Sequence, residues 1–362
     1  MRRLPVRIFN ALRPRQRLPD AEPHHPEGLR VLLRAYAEEA RLTPFGRWMA
    51  AQQIAALLRA RCELDAAVRA DLPPIRQPLF ILGLPRTGTT ALHHLLCQDP
   101  AHQGLEYWLG AAPRPRPPRE RWPREPRYRE AAAGLRLTYF LDPGLRAIHD
   151  MRADLPDECR HLFLLDFADD TFDSNATIPS YTAWLRQRDM RPAYALHRDA
   201  LRLIGSTSPE RRWVLKYPAH LGRLDALLAT YPDACFVQTH RDPTEVLPSL
   251  CSLVVGWRSL YEDDVPVDEI VRWQIEMWAE RLERALAVRD RLPAGRFLDL
   301  HHREIGEDPR AALRRIYDHF GFAWSDPPLR LPPRHGRHRL RVRVARDAVT
   351  ERFRFYTERF RT

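Results

Sequence analysis

A short apolar run that leads directly into a Gly- and Thr-rich turn constrains this chain more than any other feature. Residues 78–83 read PLFILG and carry no polar side chain. Such an unbroken run is typical of a strand that is buried on both faces of a parallel sheet. The segment after the turn has Leu92, Leu95 and Leu96 at helical spacing. We therefore expect a strand–turn–helix unit within an α/β fold.

The turn itself, GLPRTGTT at residues 83–90, has the composition of an anion-binding loop. In this context backbone N–H groups and a helix N-terminus bind phosphate. The spacing resembles the P-loop motif GxxxxGK[ST], but Thr89 replaces the lysine and Arg86 supplies a cation from inside the loop. ATP and GTP hydrolases need that lysine together with Mg²⁺. The turn therefore indicates an anion site of another kind, and a generic glycine turn remains the alternative.

Alternating strand and helix patterns continue through the second half of the chain. They predict a P-loop-type three-layer α/β fold, in which helices flank a mainly parallel central sheet. The strand-like segments are 213–216, 234–239 and 296–300, and the helical patterns cover about 220–230, 243–255, 267–290 and 309–320.

Length and composition fit one large domain with insertions, because 362 residues with 44% hydrophobic content can bury a large core. A Pro- and Arg-rich stretch at 111–129 is expected to lack regular structure. We expect a helical N-terminal extension (1–72), a main domain (73–345) with a helical insertion over the acceptor side (about 105–210), and a C-terminal helix (346–362).

The charge and the cysteines restrict the class of partner and the compartment. The formal charge of +11 favours anionic partners. Five scattered cysteines without a CxxC pair suggest neither disulfides nor a zinc site. Without a signal-like or membrane-length apolar run, the chain is expected to have no transmembrane segment and to be cytoplasmic.

Three adjacent histidine pairs do not have the spacing of metal ligands. Neighbouring residues point to opposite faces of a strand, and on a helix they diverge by about 100°, so a pair chelates one ion poorly. We therefore predict no metal site. The pairs are His24–His25, His93–His94 and His301–His302.

Two further polar motifs follow predicted strands. Lys216 ends one strand and is the single lysine among 58 Lys and Arg residues. Arg241 ends the next strand, and Ser249 lies two helical turns further on. The carboxyl ends of parallel strands form the ligand-binding edge of an open sheet, so an arginine and a hydroxyl could converge there on one phosphate. A structural ion pair between Arg241 and Asp242 is the alternative.

With these motifs in place, the chain resembles the superfamily of sulfotransferases that use 3′-phosphoadenosine 5′-phosphosulfate (PAPS), closest in style to bacterial members and the tyrosylprotein branch. The resemblance covers about residues 78–340, with specific blocks at 80–100 and 213–255. It implies that Lys216 contacts the oxygen between phosphorus and sulfur. It also implies that a loop around the 5′-phosphosulfate comprises Arg86, Thr87, Gly88, Thr89 and Thr90, and that the groups on the 3′-phosphate are Arg241, Ser249, Arg334, His335, Gly336 and Arg337.

Transfer to a hydroxyl also needs a general base. The resemblance to the tyrosylprotein branch implies a glutamate after the loop helix, which makes Glu106 the candidate, with His220 as the alternative and His102 and His149 as weaker ones. Glu106, Lys216 and Arg86 are thus the expected catalytic residues.

The predicted function is transfer of a sulfuryl group from PAPS to a hydroxyl of a small-molecule, lipid or glycan acceptor, with release of 3′-phosphoadenosine 5′-phosphate (PAP). One alternative is a P-loop kinase-like phosphotransferase, which the fold favours and the missing loop lysine opposes. A nucleic-acid binder is suggested by Trp122 and Tyr128 in the Arg-rich stretch. No recognised nucleic-acid module accompanies them, so no specific nucleic-acid partner is expected.

Overall fold

A five-stranded parallel sheet organises the computed structural model, which describes residues 18, 25–141, 143, 151–330 and 342–362. The strands are β1 (Leu79–Gly83), β2 (His102–Gln103), β3 (Arg212–Lys216), β4 (Cys235–His240) and β5 (Phe297–His301). Their order across the sheet is β2-β3-β1-β4-β5, and every pairing is parallel. The expected α/β fold with a mainly parallel sheet is confirmed.

Helices cover both faces of this sheet and build the segment between β2 and β3. The α-helices are α1 (Glu27–Glu38), α2 (Pro44–Ala67), α3 (Thr89–Leu96), α4 (Tyr107–Ala111), α5 (Pro126–Leu141), α6 (Arg160–Leu164), α7 (Thr171–Asn175), α8 (Pro179–Gln187), α9 (Arg191–Gly205), α10 (Leu224–Thr230), α11 (Pro243–Tyr261), α12 (Val267–Arg289), α13 (His302–Glu307), α14 (Pro309–Phe320), α15 (Arg346–Arg352) and α16 (Arg354–Phe360). Short 3-10 helices span Arg119–Arg124, Pro218–Arg223 and Ala294–Arg296. Among the described residues, no helix is both long and apolar enough to cross a bilayer.

The two faces of β1 belong to different parts of the core. Leu79 and Ile81 pack with residues of α3 and α14 in one buried cluster. Phe80 and Leu82 point the other way, into a larger cluster that also contains residues of α1 and α2. Because strand side chains alternate between faces, a five-residue apolar strand can serve both clusters. Each large side chain buried in this way stabilises the fold by about 1.5–3 kcal/mol.

The expectation that residues 111–129 lack regular structure is wrong. This stretch contains the 3-10 helix Arg119–Arg124 and the first turn of α5, which begins at Pro126. Proline suits the first position of a helix because its missing N–H has no partner there in any case. Trp122 and Tyr128 both pack edge-on against Trp108, with ring centroids 5.7 and 5.9 Å apart. Trp122 therefore belongs to the core, and the half-buried Tyr128 packs against it.

The strand register brings the ends of β3, β1 and β4 side by side. Ile81 of β1 is level with Lys216, and Gly83 is level with Thr239 of β4. Gly83 has φ of +142°, and a Cβ atom there would lie 2.4 Å from the Thr239 hydroxyl and 2.7 Å from its carbonyl oxygen. The loop after β1 can therefore approach β4 only with a glycine at this position.

Replacing Gly83 by alanine is expected to reduce the free energy of unfolding by about 2–4 kcal/mol, because the new methyl group overlaps Thr239 and the backbone angle is strained. Gly134→Ala is the matched control, since no atom lies within 4 Å of its Cβ position in α5. That control should gain about 0.5–1 kcal/mol. Urea unfolding measures both, and equal stability of the two variants would contradict the packing argument.

Candidate active site

The loop between β1 and α3, together with the first turn of α3, has a backbone conformation suited to binding an anion. We call this segment, residues 84–90, the anion cradle. Gly88 stands at the N-cap of α3 with φ of 88°, and Arg86 has φ of 70°, which is unusual for a residue with a side chain. The buried Thr87 hydroxyl donates to the Leu84 carbonyl oxygen at 2.7 Å and lies 2.6 Å from the Thr239 hydroxyl. The Thr87 side chain thus fixes the loop to β4, and its hydroxyl is occupied by these two contacts.

Arg86 and Arg241 meet at the ends of β1 and β4. The Arg241 guanidinium donates to the Arg86 carbonyl oxygen at 3.2 Å and to Glu245 at 2.9 Å. Burial and the nearby charge of Arg241 lower the pKa of Arg86. Two adjacent guanidinium groups repel each other, and an anion between them would relieve that repulsion. The alternative of an Arg241–Asp242 ion pair is not what forms, because Asp242 caps α11 by accepting from the Thr244 N–H at 2.8 Å.

Ser249 lies in α11, two turns after Arg241. Its hydroxyl oxygen is buried and has no hydrogen-bond partner among the described residues. Leaving a buried hydroxyl unsatisfied is costly, so such an atom marks a place where a ligand or water could bind. The predicted closing loop of Arg334, His335, Gly336 and Arg337 lies outside the described residues.

Lys216, at the end of β3, is almost fully buried. Its ammonium group donates to a Glu158 carboxylate oxygen at 2.7 Å and to the Thr90 hydroxyl at 3.3 Å. Thr90 belongs to the first turn of α3, next to Thr89, so the only lysine of the chain reaches the anion cradle from a neighbouring strand. Sequence reasoning did not single out Glu158 as the partner of Lys216.

Glu106 occupies a different position, directly before α4. Its carboxylate accepts two N–H groups from Arg116, at 3.0 and 3.2 Å. Arg116 is itself buried and donates to the Gln103 side chain at 2.5 Å and to the Gly104 carbonyl oxygen at 2.6 Å, while its guanidinium lies over the Trp213 ring. Glu106 is therefore part of a buried polar network that joins α4 to the edge of the sheet.

Two of the three histidine candidates for the base, His220 and His102, lie in the protein interior. His220 is buried, its Nδ1 lies 2.7 Å from the Tyr194 hydroxyl, and burial lowers its pKa well below the ordinary value, with a further contribution from His197. His102, also buried in β2, has its Nδ1 3.0 Å from the Leu96 carbonyl oxygen. His149 lies outside the described residues.

One group of side chains within the described ranges has the proximity that a metal site requires. The ligand atoms of Cys159, His197 and His220 lie within 4.8 Å of one another, and all three residues are buried. Metal binding needs the thiolate form, whereas burial raises the pKa of Cys159 well above its ordinary value. The group contains no member of the three adjacent histidine pairs.

Fold and loop together define a P-loop-type α/β protein with cations at the tips of three adjacent strands. The sequence model of the sulfotransferase family matches residues 78–326, which is more than half of the chain. The chain therefore belongs to the sulfotransferase family, as the motifs predicted.

Solved structures and curated relatives agree with this assignment. The chain is similar to sulfotransferase STF1 from Mycobacterium tuberculosis H37Rv, with a TM-score of 0.80, 38% identity and coverage of 90% of this chain and 91% of that one. It is similar to sulfotransferase STF9 from Mycobacterium avium, with a TM-score of 0.81, 26% identity and coverage of 98% and 95%.

A curated relative is the omega-hydroxy-beta-dihydromenaquinone-9 sulfotransferase Stf3 of Mycobacterium tuberculosis (strain CDC 1551 / Oshkosh). The two sequences are 28% identical over 258 residues, which is 67% of this chain. The matched region spans 62% of the length of that relative.

The buried network around Glu106 should be important for stability. Arg116→Ala is expected to reduce the free energy of unfolding by about 3–5 kcal/mol, because it leaves the Glu106 charge without its partner. Arg121→Ala, at an exposed position, is the matched control and should change it by less than about 0.5 kcal/mol. Chemical denaturation followed by circular dichroism makes the measurement, and similar losses in the two variants would refute the structural role of the pair.

Proposed function

We propose that the protein transfers a sulfuryl group from PAPS to a hydroxyl group of an acceptor. The observation that carries this proposal is the contact of the Arg241 guanidinium with the Arg86 carbonyl oxygen, together with the buried Ser249 hydroxyl two turns further along α11, which has no hydrogen-bond partner among the described residues. It supports a second phosphate site next to the loop. A nucleotide with phosphate groups on both its 5′ and its 3′ oxygen would occupy the two sites together.

Each part of the site has a proposed role toward this donor. The loop N–H groups, Arg86, Thr89 and Thr90 hold the 5′-phosphosulfate, because a helix N-terminus and a guanidinium both favour negative charge. Arg241 and Ser249 hold the 3′-phosphate. The resemblance to the superfamily adds four residues to that second group, and these are Arg334, His335, Gly336 and Arg337.

The chemical step follows from this placement. The acceptor oxygen forms a bond to sulfur, the bond between sulfur and the bridging oxygen breaks, and its electron pair stays on the phosphate of PAP. Lys216 donates a hydrogen bond to that oxygen as its negative charge develops, which is electrostatic stabilisation of the transition state. A carboxylate takes the acceptor proton.

The acceptor is proposed to be a lipid or another apolar alcohol. The relative Stf3 is named for a hydroxylated menaquinone derivative. The segment between β2 and β3 would shape the acceptor pocket, as the sequence predicts. Labelled PAPS, offered with a panel of phenols, aliphatic alcohols, polyprenyl alcohols and glycans, identifies the class by which compound takes up the label.

Calorimetric titration tests the donor assignment. PAP is expected to bind at least about 10-fold more tightly than ADP, with or without Mg²⁺, because charged hydrogen bonds to the 3′-phosphate contribute about 1.5–3 kcal/mol. Arg241→Ala should remove most of this preference while affecting ADP little, and Arg121→Ala should leave both affinities unchanged. Preference for ADP that depends on Mg²⁺ would instead favour the kinase-like alternative.

Lys216→Ala tests the leaving-group role. We expect kcat to fall by about 100- to 1000-fold, in the range seen when one transition-state donor is removed, while the Kd for PAPS changes by less than about 3-fold. Turnover with an acceptor from the panel gives kcat, and calorimetry gives Kd. Equal losses in both quantities would show that Lys216 binds the donor uniformly.

A further inference from the structure

We propose that Glu158 is the general base that accepts the acceptor proton, and that Glu106 is a structural anchor. This inference rests on the proposed sulfuryl transfer. It assigns to one carboxylate the step that the sequence assigned to another.

Glu158 is linked to the anion cradle through a single side chain, that of Lys216. Its Oε1 atom is 2.7 Å from the Lys216 ammonium, which is 3.3 Å from the Thr90 hydroxyl in the first turn of α3. If Lys216 acts on the leaving oxygen, the carboxylate beside it lies close to the sulfur that the acceptor must attack. General bases must lie within hydrogen-bond reach of the proton they remove, either directly or through one water.

Hydrogen bonds to Leu105 on one side and to Lys216 on the other fix the backbone around Glu158. The Asp157 N–H donates to the Leu105 carbonyl oxygen at 2.7 Å, and the Cys159 N–H donates to the Lys216 carbonyl oxygen at 3.0 Å. The Asp157 carboxylate also accepts from the Glu158 N–H at 2.7 Å. Such a segment holds the Glu158 side chain in place without the ligand, which is what preorganised catalysis requires.

Solvent exposure distinguishes Glu158 from Lys216. The Lys216 side chain is 2% exposed, whereas the Glu158 side chain is 15% exposed. An acceptor arriving from solvent can therefore meet the carboxylate, while the ammonium stays inside, where the donor would be bound. Arg160 supplies further positive charge, since its Nε lies 3.9 Å from the other Glu158 oxygen.

Glu106 has a less suitable environment for proton transfer. Protonating its carboxylate would weaken two hydrogen bonds from a buried guanidinium that has no alternative anion in the network described above. The Gln103 side chain and the Gly104 carbonyl oxygen hold Arg116 in place. The guanidinium therefore cannot move to another partner when Glu106 is protonated. Removing the charge of Glu106 would leave Arg116 buried and uncompensated.

In the proposed step, the acceptor oxygen attacks sulfur while its proton passes to Glu158. Lys216 donates a hydrogen bond to the bridging oxygen, whose bond to sulfur breaks. The products are the sulfate ester, PAP and a protonated Glu158, which then releases its proton to water. The nearby ammonium and Arg160 compensate the carboxylate charge before the transfer.

Two probe acceptors of similar shape but different acidity test the assignment. 4-Nitrophenol is largely ionised at pH 8 and needs no base, whereas 4-nitrobenzyl alcohol is neutral and needs one. Glu158→Gln should reduce kcat/KM for the alcohol by about 100-fold or more, the usual contribution of a general base, and for the phenol by less than about 10-fold. PAP affinity, measured by calorimetry, should remain within about 3-fold of the wild-type value. Glu106→Gln, the matched control, should reduce both rates by the same factor.

Each other result has a definite meaning. An equal loss on both probes in Glu158→Gln would show that Glu158 only positions Lys216, and an alcohol-selective loss in Glu106→Gln would return the base to Glu106. Either result overturns the inference, as would a wild-type protein that binds PAP but sulfates neither probe. Failure of the wild-type protein to bind PAP would count against the proposed function itself. Glu158→Asp should recover part of the rate on the alcohol, and circular dichroism confirms that every variant is folded.

Discussion

Side-by-side placement of cations at the ends of adjacent parallel strands is the constraint on which the rest of the site depends. Parallel pairing makes Gly83 level with Thr239 and Ile81 level with Lys216, so the residues that follow these strands emerge at one edge. Arg86 and Arg241 then lie within hydrogen-bond contact, and the pKa of Arg86 falls because it is buried near a like charge. Repulsion between two guanidinium groups is tolerated where a bound anion can relieve it. When no anion is bound, an ion-pair partner such as Glu245 reduces the repulsion.

Most of the framework could be predicted because its signals are local. The apolar run before Gly83 and the Gly–Thr turn after it define a strand, a loop and a helix within about twenty residues. The later long strands are predicted by similar short apolar runs. β2 was missed for the opposite reason. It consists only of His102 and Gln103, and its strand character comes from pairing with Arg212 and Trp213 far along the chain.

The sequence shows the charged residues, but it could not predict which of them form ion pairs with one another. Glu106 and Glu158 are the same residue type, each beside apolar segments, and nothing local distinguishes a carboxylate paired with Arg116 from one paired with Lys216. The second pair joins residues 58 positions apart, through the approach of the segment before α6 to the end of β3. His220 was similarly ambiguous, because a histidine after a strand tip looks available until its burial and its contact with Tyr194 are known.

The single lysine can be understood from the shape of its surroundings. An ammonium group carries three N–H donors in tetrahedral directions, whereas a guanidinium spreads its donors in one plane and occupies more space. Two donors of Lys216 are directed at Thr90 and Glu158 within a nearly closed space, which leaves a third for the bridging oxygen in the proposed reaction. The compact ammonium fits this space, whereas the larger planar guanidinium would need more room around Thr90 and Glu158. A chain that uses arginine at its other basic positions would therefore still require lysine at this one.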